Sequence, residues 1–380
     1  MIRSFLPAGQ GNFAVEKYEN GQSVVFDCGA TNVSIAEQLI RETFQKEECI
    51  LAVFISHLDT DHLNGLKYLL QHCTVKEIYI PFLDSGGKLL TAIEEAAFHR
   101  RKLSDFALRF LRNPEEAIGS IRGKRADPTV YRVRPERMGD EDANDSELTV
   151  KSGELLRLLD KECDNKQDWI FVPYNFHEVE KGLDLIAFLH KAGIDPEDLY
   201  VDLSKPDFLK KHKPVVDYIK NHLYDKEAKA WKDSDSSPSN IGSMVVYSGW
   251  KGERGNAFLK RPELSVCFNR HVCPGYLEAG CLYTGDYNAK DNDKWVDLNN
   301  KYGDYWSGIG TITVPHHGSS YNFNHELATK GTVFIASAGR HNKYRHPHHA
   351  VLIELARRHK LCFWVNEDHS SAVYMVVEGI

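Results

Sequence analysis

The chain has 380 residues, of which 42% are hydrophobic and 27% charged, a composition that supplies a full core and fits a soluble globular protein. A net charge of −7 argues against a surface built wholly for nucleic acid and leaves only local basic patches for that role. No apolar run reaches the ~18–20 residues of a membrane span, "MIRSFLPAGQGNF" lacks a signal-peptide core, and the eight cysteines are scattered, so a cytoplasmic protein with reduced thiols and no membrane contact is expected.

In chain order, "NFAVEKYENGQSVVFDCGA" alternates, breaks at Asn20-Gly21 and resumes, which predicts a hairpin. "SIAEQLIRETF" has helical spacing, and "CILAVFIS" is a continuous apolar run that predicts a buried strand. "LNGLKYLLQHC" returns to helical period, and "VKEIYIPF" is another strand. This β-β-α-β-α-β order predicts a layered α/β fold.

The middle differs. Leu89, Ile93 and Ala97, then Leu103, Phe106 and Phe110, predict one helix from Lys88 to Leu111. His99–Arg137 holds eleven Lys/Arg against five Asp/Glu, and "GDEDANDSE" then reverses the sign. Such a basic run is usually a solvated face; it equally suits nucleic acid, an acidic partner or the acidic run beside it. "WKDSDSSPSN" predicts a loop. From Ile241 strands resume in "SMVVYSGW", "GCLYTGD", "TITVPHHGSS" and "GTVFIASAG"; "HHAVLIELARRH" predicts a helix, and "KLCFWVN" and "AVYMVVEGI" close the chain as strands.

The chemistry concentrates in "SHLDTDHLNG", Ser56–Gly65. In extended backbone His57, Asp59 and Asp61 share one side. His62 follows where a helix begins and the helix dipole favours a neutral imidazole. Neutral histidine and ionised aspartate are what divalent metals bind. Further candidates end later strands: Asp286, then His316 and His317, then His346, His348 and His349 before a helix. Singly each would read as a surface or capping residue; together they can converge on one sheet edge. A second group, Cys267, His271, Cys273 and Cys281, has no familiar zinc spacing and reads better as buried thiols.

These motifs resemble the metallo-β-lactamase-fold hydrolases, and most closely the branch found as the soluble domain of bacterial competence proteins of the ComEC type. That branch runs H-x-D-x-D-H, T-G-D, H-H-G-S and N-x-Y-x-H-P; here the same order reads "HLDTDH", "YTGD", "HHGS" and "NKYRHP". "AGQGNF" and "VVFDCGA" resemble its early segments. The likeness covers about 1–85 and 240–380. Asn12 replaces its usual Asp, Arg345 a usual glycine, and the stretch of about 86–239 is longer than its usual linker. No counterpart is evident for the extra histidine of many members; His177 in that interval reads as a packing or surface residue.

The resemblance implies a four-layer αββα sandwich in one domain spanning 1–380, with the insertion between its halves and metals at one edge. It implies that His57 and Asp59 hold a first ion with His316 or His317, that Asp61 and His62 hold a second with His346, and that Asp286 bridges them. Three carboxylates make the site oxygen-rich, so Zn²⁺ and Mn²⁺ are both candidates. Asp59 or Asp61 would orient the attacking water, and a histidine left over from ligation, from the His316-His317 or His346-Pro-His348 segment, would protonate the leaving oxygen. Ser319 and Ser320 are phosphate-oxygen ligands or turn caps. The expected function is a metal-dependent phosphodiesterase, with DNA or RNA as substrate. The alternatives are a hydrolase of a small ester (cyclic nucleotide, phosphorylcholine-like ester, lactone or thioester) and a partner-controlled module of a bacterial defence complex docked through the insertion.

Overall fold

The computed structural model describes residues 1–97, 104–135, 148–159, 169–176, 179–223, 242–251, 256–259 and 277–378. The chain opens on β1 (Ile2–Phe5), then β2 (Ala14–Lys17) and β3 (Ser23–Phe26), the expected hairpin. Gly21, at φ +80°, lets the turn close with Tyr18 N–H donating to Gln22 O at 2.9 Å. β4 (Cys49–Phe54) and β5 (Thr74–Pro81) add in parallel to β3, with helices Val33–Thr43 and Leu66–His72 as crossovers.

The stretch 86–239 is woven into the core rather than set apart from it. It supplies β6 (Thr129–Arg134) and β7 (Thr149–Lys151), which extend the first sheet beyond β5. It also supplies β8 (Trp169–Asn175), which pairs antiparallel with β9 (Met244–Trp250). Their sequences hide this: β6 alternates Val130 with Arg132 and Arg134, and those arginines are buried, so polarity does not report exposure there. The expected helix 88–111 is represented by two helices, Ser85–Ala97 and Asp105–Arg112. The second has its own start signal, Ser104, whose Oγ accepts from Ala107 N–H at 3.1 Å. The expected loop 231–240, His177 and the acidic run 139–147 lie outside the described residues.

The remaining strands are β10 (Asn256–Leu259), β11 (Leu277–Glu278), β12 (Gly280–Tyr283), β13 (Ile309–Thr313), β14 (Val333–Ser337), β15 (Leu361–Val365) and β16 (Val373–Val377). The first sheet has the order β11-β10-β16-β1-β2-β3-β4-β5-β6-β7, and the second β15-β14-β13-β12-β9-β8. One apolar core lies between the sheets and one on the helix-covered outer face of each, which makes four layers, αββα. No described helix is long and apolar enough to cross a membrane.

The layer between the sheets carries a buried ion pair. Arg3 and Glu16, both fully buried on β1 and β2, meet at 2.8 Å. Arg3 Nη1 also donates to Ala279 O at 2.8 Å, and Glu16 accepts from the hydroxyls of Tyr18, Ser248 and Tyr283 at 2.7–3.0 Å. The network thus ties β1–β2 of the first sheet to β9 and β12 of the second, and it holds β12 where its far end delivers a site residue. Removing one partner of such a pair leaves a buried, uncompensated charge. Arg3→Met is expected to lower the unfolding free energy by about 3–5 kcal/mol in urea denaturation; a loss below about 1 kcal/mol would show that the pair ties nothing together.

Candidate metal centre

β4 is buried from Ile50 to Phe54 and feeds the cluster directly: Ser56, His57, Asp59, Asp61 and His62 are all buried, none above 7% exposed. Asp59 is the N-cap of the helix Thr60–Leu63, yet its side chain makes no capping hydrogen bond. Its carboxylate faces His57 instead, Oδ2 to Nε2 at 3.7 Å. Gly29 permits this packing, because a Cβ there would fall 1.8 Å from the Asp61 carbonyl oxygen.

The second half comes from the ends of β12 and β13. Asp286 follows β12, its N–H donating to Ser243 Oγ at 3.0 Å. His316 and His317 follow β13 with φ of +48° and +55°, a left-handed pair costing roughly 1–2 kcal/mol per residue. Such backbone persists only where its surroundings enforce it. Here His316 N–H donates to Gly285 O at 3.0 Å and His348 N–H to Gly318 O at 2.9 Å.

Asp286 divides the cluster. Its Oδ2 stands 3.6 Å from both His57 Nε2 and His316 Nε2. Its Oδ1 stands 3.4 Å from His62 Nε2 and 3.7 Å from His317 Nε2, and His317 Nε2 is 3.6 Å from Asp61 Oδ2. His57 and His316 thus face Oδ2, with Asp59 against His57, and His62 and His317 face Oδ1, with Asp61 against His317; among the described residues the ligand atoms of His57, His62 and Asp286, and of Asp61, His62 and His317, lie within 4.8 Å of one another, so His62 stands between the two sides. Distances of 3.4–3.7 Å are too long for strong hydrogen bonds. They match two ligands on one cation, since bonds of about 2.0–2.2 Å at a tetrahedral angle separate ligand atoms by about 3.4 Å.

The polar atoms aimed inward fit a cation. Among the described residues His57 Nε2, His62 Nε2 and Asp286 Oδ1 are buried without a hydrogen-bond partner, an arrangement that costs free energy unless something else satisfies them. Burial, reinforced by His62, lowers His57 to about 4, and burial lowers His316 to about 3, so both rings are neutral, the ligating form. Burial opposes charge on His62 and His317 too, but Asp27 and Asp286 raise the first well above its usual value, and Asp286 and Asp61 raise the second. Burial would likewise raise Asp286, yet His316, His317, His57 and His62 hold it well below the carboxylate range. The carboxylates therefore draw protons onto two of the four rings, where a divalent ion would replace them and release them.

An outer set of groups fixes the ligands. His62 Nδ1 lies 2.8 Å from Asp27 Oδ2 and His317 Nδ1 2.8 Å from Ser337 O, so each ring donates there and turns its Nε2 lone pair inward. Ser56 Oγ donates to Asp27 Oδ2 at 2.8 Å and sits 3.0 Å from His57 Nδ1. Asn12 donates from Nδ2 to Asp27 Oδ2 at 2.9 Å and so belongs to the same support. Asp27 carries this support, and the sequence motifs give it no role. The available signal is topological: β3 and β4 are parallel with Phe26 opposite Phe54, so a carboxylate ending β3 lands beside Ser56.

His346 is buried beside His316, with ring centroids 5.9 Å apart, and His317 takes the place beside Asp61 and His62 expected of it. His348 caps the helix His349–Arg357. Ser319 Oγ accepts from Tyr321 N–H at 3.2 Å, a turn role. Cys267, His271 and Cys273 lie outside the described residues; Cys281 is a buried thiol in β12, pushed up to about 12 by burial.

Residues 7–145 match the family model described as the Metallo-beta-lactamase superfamily. The match takes in β2 to β6 and the His57–His62 cluster. That superfamily is mostly hydrolytic and typically binds divalent metals, usually zinc. The mixed α/β architecture with two large sheets is that of the metallo-β-lactamase sandwich. No curated protein matches the chain.

Asp27→Ala is expected to weaken metal binding about 10–100-fold in a chelator competition titration while the far-UV spectrum stays native. Unchanged affinity would remove Asp27 from the site's support.

Proposed function

We propose that the chain is a dinuclear-metal phosphodiesterase acting on nucleic acid. The observation that carries this reading is the Asp286 carboxylate, which presents one oxygen to His57 and His316 and the other to His62 and His317. Two divalent cations bound there would supply Lewis acidity at the phosphoryl oxygens and a water acidic enough to attack near neutral pH. The ligand sets are rich in oxygen, which suits Mn²⁺ as well as Zn²⁺. The ordered motifs shared with the ComEC-type branch favour a nucleic-acid diester over other esters.

The chain's own groups then have distinct tasks. Asp59 and Asp61, one on each side of Thr60, hold the two halves in register and accept hydrogen bonds from the attacking water. His346, buried with its ring centroid 5.9 Å from that of His316, would give a proton to the leaving oxygen. Asn342 fixes that residue's backbone, donating from Nδ2 to His346 O and accepting at Oδ1 from its N–H, both at 2.7 Å.

Purified chain is expected to carry two metal ions and to cleave DNA or RNA with Mn²⁺ or Zn²⁺. Asp286→Asn should bind fewer than two ions and be inactive. His346→Gln should keep both ions and lose about 10²–10⁴ in kcat. A fully metallated wild type that hydrolyses lactones or thioesters but no phosphodiester would overturn the reading.

A further inference from the structure

The stretch 86–239 also builds a cavity that the metal centre does not use. It has a volume of about 690 Å³ and lies between the helices Val33–Thr43, Leu66–His72 and Asp105–Arg112. Thr60, the residue between Asp59 and Asp61, forms part of its wall, with its hydroxyl donating to Glu95 Oε2 at 2.7 Å. A second cavity of about 540 Å³ shares Ser104, Asp105 and Arg109 with the first, so the two adjoin at one helix.

The lining is cationic where it is not already neutralised. Glu37 pairs with Arg41 at 3.7 Å and Asp105 with Arg109 at 2.9 Å. Lys67 and Arg122, both exposed on the first cavity, form no ion pair among the described residues. Aromatic rings stiffen the walls between these charges: Tyr68 packs on His72 under Arg41 and Phe106 on Phe110 at the first cavity, and Tyr200 lies under Arg112, whose Cζ is 4.6 Å from the ring, at the second. A groove with unpaired cations along it suits a flexible polyanion whose phosphates repeat along its length.

We infer that this groove is the track on which a single-stranded nucleic acid lies, Lys67 and Arg122 meeting its phosphates, while one diester reaches the metal centre past Thr60. The inference rests on the phosphodiesterase reading and adds to it a preference for single strands and a binding role for the insertion. It assigns a function to part of the basic run His99–Arg137, whose sequence leaves nucleic acid and an acidic partner equally open.

The test is fluorescence anisotropy of a labelled single-stranded phosphorothioate oligonucleotide on the full metallated chain, wild type against Lys67→Glu/Arg122→Glu. Hydrolysis of bis(p-nitrophenyl) phosphate and metal content are measured in parallel. The variant should bind the oligonucleotide more weakly, with Lys67→Gln/Arg122→Gln between it and wild type, while small-diester turnover and metal content stay unchanged. Its salt slope should fall by about 1.4, at about 0.7 per phosphate contact, so a tenfold rise in salt costs wild type about 25 times more affinity than it costs the variant. Equal binding by wild type and variant, no binding by wild type, or equal competition by polyglutamate overturns the track. If wild type binds the strand as expected yet cleaves no diester, the phosphodiesterase reading fails by itself.

Discussion

The rest of the site is arranged around one carboxylate. Asp286 is buried among four imidazoles and shares its two oxygens between them. A carboxylate so far from water is costly unless positive charge is held beside it. The four rings do not settle the balance alone: two are kept neutral by burial, and the other two take up protons only because Asp27, Asp61 and Asp286 face them. The cluster is stable as a cation-holding device and would be strained as a packing motif.

Much of the architecture serves to bring that carboxylate to the His57–His62 segment. The two come from different sheets, and the sheets are held together by the Arg3–Glu16 network and the aromatic stack of Phe26 on Tyr283, with centroids 3.6 Å apart. Parallel pairing of β3, β4 and β5 on one side, and of β12, β13 and β14 on the other, places successive strand ends at one edge. Asp27, Ser56, Asp286, His316 and His317 all sit at such ends. The left-handed His316-His317 backbone is tolerated there because Gly285 and Gly318 hold it from both sides.

Many strands of the two sheets are legible in the sequence because their apolar runs are bounded by glycine and polar corners, as in "CILAVFIS" and "GTVFIASAG". The ligand cluster is legible because an ordinary polar turn rarely packs four ligand-type residues into six positions at the end of a buried strand. What is not legible depends on three-dimensional neighbours. Asp27 looks like any strand-ending aspartate until β3 is laid beside β4. The separate tasks of His316 and His317 are decided by two backbone dihedrals, and adjacency in sequence suggests no difference between them. β6 and β8 escape because one hides arginines in the interior and the other follows residues without strand pattern. The groove past Thr60 is assembled from helices that read, one at a time, as ordinary amphipathic packing.

Whether Asp286 joins two metal ions is tested most directly by electron paramagnetic resonance on the Mn²⁺-loaded chain. Two Mn²⁺ per chain with an exchange-coupled spectrum are expected, because a shared carboxylate couples the two spins. A single ion per chain, or two ions giving only the uncoupled six-line signal, would contradict the bridging role.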